Sequence, residues 1–309
     1  MPPKKFTWYN GVGLTLAVIF AVFPVFWMIS TSFKPRNEWI TQPPVWITSQ
    51  GTVDNYLTVL FPSVLLERAG GLAKYDAEGN KISDEGTGLG ANADILNNSA
   101  WPAIYGSIII STLATALSLI IGLMAALSIS RYRVGGNLTP LFILSGRMFP
   151  PIAIAIPFVV MFSNVGATDT YWGLILAYAA VTVPFSTWML KSFIDDLPKE
   201  IEEAAMMDGM SRWGAHLRIT VPLIKGGIIA TGLFIFILNW SEFLFALILT
   251  YTKVTTIPVQ MGKFFTATEG ALYGMQAALA TVSIVPLVII GFFIQKHLVR
   301  GLTLGAIKR

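Results

Sequence analysis

Residues 202–222 read EEAAMMDGMSRWGAHLRITVP and form a short polar stretch between two long apolar ones. Pro198 fits the first turn of a short helix, and Gly209 supplies its end, because glycine readily takes the backbone conformation that follows a helix. Ser211 can cap a second short helix, which Pro222 interrupts. The pattern therefore predicts a helical elbow from Pro198 to Pro222 that is too polar to enter lipid.

Small and acidic side chains make this elbow suitable for contact with another protein. Ala204, Ala205 and Gly209 leave room for a close approach, while Glu203 and Asp208 offer hydrogen-bond acceptors. An ordinary amphipathic loop that is solvated on one side has the same pattern. The residues alone therefore leave both interpretations open.

The composition is that of a membrane protein. Hydrophobic residues make up 54% of the chain and charged residues only 12%, whereas soluble domains carry about 25% charged residues. The chain has no cysteine, which excludes disulfides and thiol nucleophiles, and its two histidines leave zinc almost no ligands, so no metal site is expected. The net charge of +4 is modest and gives no indication of nucleic-acid binding.

Apolar runs of about 20 residues are long enough to cross a bilayer. We count six such runs and predict an all-α, polytopic membrane protein with a single transmembrane domain over residues 1–309. The predicted spans lie at about 11–31, 101–130, 138–162, 171–190, 226–251 and 275–295.

The distribution of lysine and arginine predicts the orientation. With both termini in the cytoplasm, the cytoplasmic segments hold thirteen basic residues and the other side holds seven, which agrees with the positive-inside rule. Residues 34–100 then form an external loop, in which 75–81 suggest a hairpin turn and 84–90 a flexible glycine-rich segment. Residues 191–225, which include the elbow, form a cytoplasmic loop.

The spacing within the elbow resembles a known signature. The order from Glu203-Ala-Ala through Gly209 and Ile219 to Pro222 is similar to that of binding-protein-dependent ABC importer permeases, with Val221 where the family usually has leucine. Residues 147–151, 239–250 and 298–308 resemble the carbohydrate branch and its MalG-like subunits. The likeness covers roughly 98–309, together with the first span and its exit at 33–35, and the stretch at about 62–95 is longer than expected for that family.

The resemblance implies a type I ABC importer permease fold in the inner membrane of a bacterium or archaeon. It implies half of a translocation pathway for a sugar or oligosaccharide delivered by an extracytoplasmic binding protein. The other expected partners are membrane lipid, a second and different permease chain, and two cytoplasmic ATPases. The resemblance also implies contact of residues 301–309 with the ATPases and of 252–270 with the binding protein. The residues expected to couple to the ATPase are Glu203, Ala204, Ala205, Asp208, Gly209, Ile219 and Pro222.

The chain itself is expected to bind no cofactor. It contains no Gly-x4-Gly-Lys-Ser/Thr phosphate loop, so ATP and Mg²⁺ would act through the partner ATPase. For the same reason we expect no enzymatic activity in this chain.

Two ionisable residues, Arg147 and Glu242, fall within predicted spans, where charges usually face a bundle interior or water. With Asn239 and Trp240 they could border the sugar path, since aromatic faces and amides suit sugars. A structural role, such as a helix-to-helix hydrogen bond, is the alternative. Prolines 150 and 151, which follow Arg147, predict a break in that helix.

Other functions have less support in the sequence. An ion-coupled secondary carrier would often show acidic residues at mid-membrane or paired repeats. Glu242, in the outer half of its span, is the one acidic candidate. An intramembrane enzyme would need a His-Glu-x-x-His pair, a cysteine or a serine dyad, none of which is recognisable. A membrane scaffold without transport activity would also be compatible with a docking elbow.

Overall fold

Helices form nearly all of the regular structure in this computed structural model, which describes residues 8–64, 99–136, 138–146, 150–266 and 270–306. The helices are α1 (Trp8–Ser32), α2 (Asp54–Leu60), α3 (Trp101–Tyr132), α4 (Thr139–Ser145), α5 (Pro151–Asn164), α6 (Tyr171–Asp195), α7 (Lys199–Met207), α8 (Arg212–Ala215), α9 (Lys225–Trp240), α10 (Leu244–Leu249), α11 (Ile257–Gly262) and α12 (Tyr273–Ala306). A π-helical turn, His216–Thr220, and a short helical turn, Val221–Leu223, connect α8 to α9. Two short strands, β1 (Phe265–Thr266) and β2 (Gly270–Ala271), pair antiparallel. The all-α fold class is therefore confirmed.

Four of these helices are long and apolar enough to cross a membrane: α1, α3, α6 and the Tyr273–Phe292 part of α12. A fifth arises if Arg212–Leu223 and α9, which meet at a 73° bend, are counted as one broken span. The apolar helix α5 has only 14 residues. The count of six spans stays a prediction within the described part of the chain.

The predicted third span is divided between α4 and α5. Pro150 precedes α5 and Pro151 occupies its first turn, where a missing backbone N–H costs nothing. Residue 147 lies outside the described residues, and so do 75–81 and 84–90, which carry the hairpin and glycine-rich predictions.

The predicted fifth span is also broken, without help from proline. Helix α9 ends at Trp240 and α10 begins at Leu244. Both carboxylate oxygens of Glu242 accept a hydrogen bond from the Phe245 N–H at 3.1 Å, and Oε2 also accepts from Ala246 at 3.3 Å. Glu242 thus satisfies donors at the start of α10 that have no partner within the helix.

The described chain divides into two compact units, Met1–Trp101 with Gln260–Val285, and Pro102–Val259 with Pro286–Arg309. In the second unit, α3 and α6 pack through small residues, as membrane helices commonly do. The Ser118 and Thr182 hydroxyls hydrogen-bond at 2.7 Å in the interior, and a β-carbon added at Gly122 would overlap the Ser186 hydroxyl. Close backbone approach therefore aligns α6 with α3.

In the first unit, the chain after α1 is fixed by side-chain hydrogen bonds. The Asn55 side chain on α2 donates to the backbone oxygens of Ser32 and Lys34, each at 2.9 Å. The Lys34 ammonium lies 3.8 Å from the centre of the Trp27 ring, a cation–π contact. Backbone and side-chain contacts thus hold the exit from α1 against α2.

Candidate functional site

The elbow forms the two short helices that its sequence predicts. Helix α7 runs from Lys199 to Met207 after Pro198, and Gly209 has a φ of +87°, a conformation that side chains with a β-carbon rarely adopt. The Ser211 hydroxyl accepts a hydrogen bond from the Gly214 N–H at 3.1 Å. The stop at Gly209 and the cap at Ser211 are therefore confirmed.

Most of the predicted coupling residues lie on the open face of the elbow. Glu203, Ala204, Asp208 and Gly209 are exposed, whereas Ala205 is buried. Pro222 is exposed and Ile219 half-buried. The role of these residues in coupling stays a prediction. The exposed ones among them are accessible to a partner protein, as that role requires.

Large apolar side chains, which the sequence argument did not single out, extend this open face. Met207 is 89% exposed, Trp213 60% and Leu217 59%. Exposed apolar side chains on a segment too polar for lipid are typical of surfaces that contact another protein. The elbow thus presents apolar contacts beside the acidic acceptors.

The inner face of the elbow is anchored by a residue that the sequence argument missed, Glu202. Its Oε1 accepts hydrogen bonds from Arg131 Nε at 2.8 Å and from the Thr220 hydroxyl at 2.7 Å. The Arg131 and Glu202 side chains are only 6% and 9% exposed. Arg131 also donates to the Leu197 carbonyl at 3.2 Å, so the charged pair ties the end of α3 to α7 and to the chain just before it.

His216 adds a second link between the elbow and α3. Its Nε2 lies 2.8 Å from the Tyr132 hydroxyl, and its Nδ1 lies 3.4 Å from Glu202 Oε2 without hydrogen-bond alignment. We call Arg131, Tyr132, Glu202, His216 and Thr220 the Glu202 cluster. The cluster makes the elbow and the end of α3 one mechanically connected piece.

Helical spacing is the signal that could have identified this cluster. Glu202 and Ala205 are three residues apart, and His216 and Thr220 are four apart, so each pair lies on one face of its element. All four are buried. The sequence does not show, however, that these faces meet the end of α3.

Beside the cluster lies a cleft of about 250 Å³. It is bordered by Glu203 and Met206 of α7, by Arg212, and by every member of the cluster except Thr220. Within the described segments, no three His, Asp or Glu side chains are placed to hold a metal ion. The arrangement suits transmission of force between proteins, because it combines an open contact face with a buried charged anchor.

Three of the predicted sugar-path residues, Asn239, Trp240 and Glu242, have partners inside the protein. Asn239 is buried and donates to the Thr115 hydroxyl at 3.1 Å, and the buried Trp240 ring stacks on Phe236 with centroids 5.6 Å apart. Glu242 caps α10, as described above. These contacts are of the kind expected if the residues have a structural role, such as a hydrogen bond between helices. A role in a substrate path stays a prediction for them and for residue 147.

Known proteins with similar sequences are components of membrane transport systems, which is consistent with an exposed contact surface beside membrane helices. Residues 118–304 match the family described as "Binding-protein-dependent transport system inner membrane component". The trehalose/maltose transport system permease protein MalG of Thermococcus litoralis is 32% identical over 300 residues, covering 96% of this chain and 95% of the relative. The trehalose transport system permease protein SugB of Mycobacterium tuberculosis is 29% identical over 303 residues, covering 97% of each chain.

The fold also has a solved counterpart. A crystal structure of a bacterial ABC transporter involved in the import of the acidic polysaccharide alginate superimposes with a TM-score of 0.66 at 19% identity, covering 93% of this chain and 94% of that one. This likeness concerns the fold. The family match and the near-complete alignment with permease relatives assign this chain to the binding-protein-dependent transport system inner membrane components, which are transport components of the membrane rather than enzymes.

Proposed function

We propose that the chain forms half of the translocation pathway of an ATP-driven importer for a sugar or oligosaccharide. The single observation that carries the proposal is the elbow, in which an exposed contact face is anchored by the Glu202 cluster. The trehalose and maltose transport named for the relatives supports a sugar as the cargo.

In this proposal the elbow docks on one of two cytoplasmic ATPases, which bind ATP and Mg²⁺, while a second permease chain completes the pore. Glu203 and Asp208 accept hydrogen bonds from the ATPase, and the exposed Met207 fills an apolar contact. Because the Arg131–Glu202 pair is buried, movement of α7 moves the end of α3. When the ATPases close, the movement of α7 would therefore be transmitted through α3 to the membrane helices.

The proposed orientation places the elbow and both termini in the cytoplasm. The excess of basic residues on that side supports it. The connection between α5 and α6 and the segment after α10 then face the outside, where an extracytoplasmic binding protein delivers the sugar.

Reconstitution in proteoliposomes tests this proposal against an ion-coupled carrier. Uptake of the sugar that the associated binding protein holds should require the ATPase subunits and ATP, and an ion gradient alone should drive none. Uptake that follows the gradient without the ATPase would favour the carrier. The hydrogen bonds that Glu242 accepts from backbone N–H groups of α10 give this residue a structural role, which supports the importer over the carrier.

Variants of the elbow test whether its exposed face is required for ATP-coupled uptake. Glu203→Lys reverses the charge on the docking face, and Gly209→Pro cannot adopt a φ of +87°. We expect both variants to insert in the membrane but to lose most ATP-coupled uptake. Glu203→Gln, which keeps the size and an acceptor oxygen, is the matched control and should retain most activity. Normal uptake by both Glu203→Lys and Gly209→Pro would contradict the proposed role.

A further inference from the structure

A single carboxylate, that of Asp169, holds the turn that follows α10. Its Oδ1 accepts from the backbone N–H groups of Tyr251 at 3.0 Å, Lys253 at 3.2 Å and Val254 at 3.1 Å. Its Oδ2 accepts from the Thr252 N–H and hydroxyl, both at 3.1 Å, and from the Lys253 N–H at 3.0 Å. We call residues 251–254 the Asp169 turn, because every N–H in it is directed at this one side chain.

The Asp169 backbone is itself fixed in place. Its φ of +55° lies in the left-handed region, which aspartate tolerates better than most residues, and its N–H donates to the Leu249 carbonyl at 2.7 Å. The next residue, Thr170, caps α6 by accepting from the Gly173 N–H at 3.1 Å. Burial alone would raise the pKa of Asp169, but the four N–H donors outweigh it and lower the pKa below the ordinary value of 3.8, so the carboxylate stays ionised at neutral pH.

The chain beyond the turn is fixed against α3. A β-carbon added at Gly106 would clash with the Thr255 carbonyl oxygen, and the Ser107 hydroxyl accepts from the Ile257 N–H at 2.8 Å. Between these anchors the side chains of 251–253 are exposed, with Tyr251 61% exposed. A rigid backbone therefore presents an aromatic ring and the cationic side chain of Lys253 to the exterior.

We propose that Asp169 is a positioning residue that preorganises the Asp169 turn for docking of the extracytoplasmic binding protein. The proposal rests on the proposed function, which places this end of α6 outside the membrane. A loop that is already ordered avoids the entropy cost of ordering on contact, which raises affinity without any new contact. Tyrosine is enriched at such interfaces, and the exposed lysine suits an acidic surface on the partner.

Asp169→Asn in the complete transporter tests this inference. The change replaces one carboxylate oxygen with an NH₂ group that faces N–H donors, so the turn loses part of its support. The affinity of nanodisc-embedded transporter for the sugar-loaded binding protein should fall by about tenfold, as expected when a charge-assisted hydrogen bond is lost. ATP hydrolysis without binding protein should stay within about twofold of the unmodified transporter, a change below about 0.5 kcal/mol. Asp196→Asn, at the exposed opposite end of α6, is the matched control and should change neither quantity.

A second variant keeps the inference falsifiable if Asp169→Asn folds poorly. Thr252→Val removes only the hydroxyl donor and should weaken docking by roughly twofold to threefold, the lower end of the hydrogen-bond range. Unchanged affinity in whichever of these variants assemble would overturn the role of Asp169. If instead the unmodified transporter binds no sugar-loaded binding protein, the proposed function fails, and the two failures are thus distinguishable.

Discussion

Two adjacent glutamates in α7 have opposite environments. Glu202 is buried against Arg131 and Thr220, whereas Glu203 faces solvent. A buried charged pair is costly to break, because the remaining partner keeps an uncompensated charge in a largely desolvated site. The buried glutamate therefore determines where the elbow lies, and the exposed one is available to a partner.

The variant Glu202→Gln tests whether the buried glutamate anchors the elbow. The glutamine keeps the size but leaves Arg131 buried without a counter-charge, which costs about 3–5 kcal/mol when one member of such a pair is removed. We expect a lower unfolding temperature of the purified transporter and less sugar imported per ATP hydrolysed. Glu200→Gln, an exposed change in the same helix, should stay within about 0.5 kcal/mol. Equal unfolding temperatures for the two variants would show that the pair contributes nothing to anchoring.

Residue environments of this kind could be predicted from the sequence only in part. Gly209 and Ser211 were identifiable because a helix stop and a helix cap depend on local backbone chemistry. Glu202 and Asp169 were not, since their partners lie at distant positions in the chain. Helical spacing places Glu202 on the same face as Ala205, but only the position of α3 determines that this face is the buried one.

At the scale of elements, small residues set the distance between helices. Gly122 in α3 directly faces Ser186 in α6, so Gly122→Ala should force the two helices apart. Overpacking of this kind costs about 1–3 kcal/mol. Gly226 in α9 has no atom within 4 Å of an added β-carbon, and alanine there should be neutral or stabilise the helix by up to about 1 kcal/mol. Thermal unfolding in detergent of both variants is the measurement, and equal stability would contradict close packing at Gly122.

The helices themselves could largely be predicted, whereas their interruptions could be predicted only where proline marks them. Long apolar runs place α1, α3 and α6, and Pro150 with Pro151 indicated the break before α5. The break after Trp240 has no proline or glycine. It depends on Glu242 accepting hydrogen bonds from α10, which is a contact that composition does not reveal.

At the scale of the whole molecule, the two candidate contact surfaces lie at opposite ends of one helix in the second unit. Asp169 and Thr170 precede the start of α6, and Asp195 at its end leads into the elbow. A helix of 25 residues spans roughly 37 Å, about the thickness of a membrane. The composition predicted a membrane protein, but not this arrangement.

The central claim is that an ATPase subunit binds the elbow, and site-directed crosslinking tests this contact most directly. The chain has no cysteine, so Met207→Cys provides a single thiol at a position that is 89% exposed. Labelled with a maleimide photo-crosslinker before the ATPase is added, this thiol should yield an adduct with the ATPase once the transporter is assembled and irradiated. Val165→Cys, at a position 67% exposed near the opposite end of α6, should yield none. Absence of an ATPase adduct from Met207→Cys, or an equal one from Val165→Cys, would contradict the account.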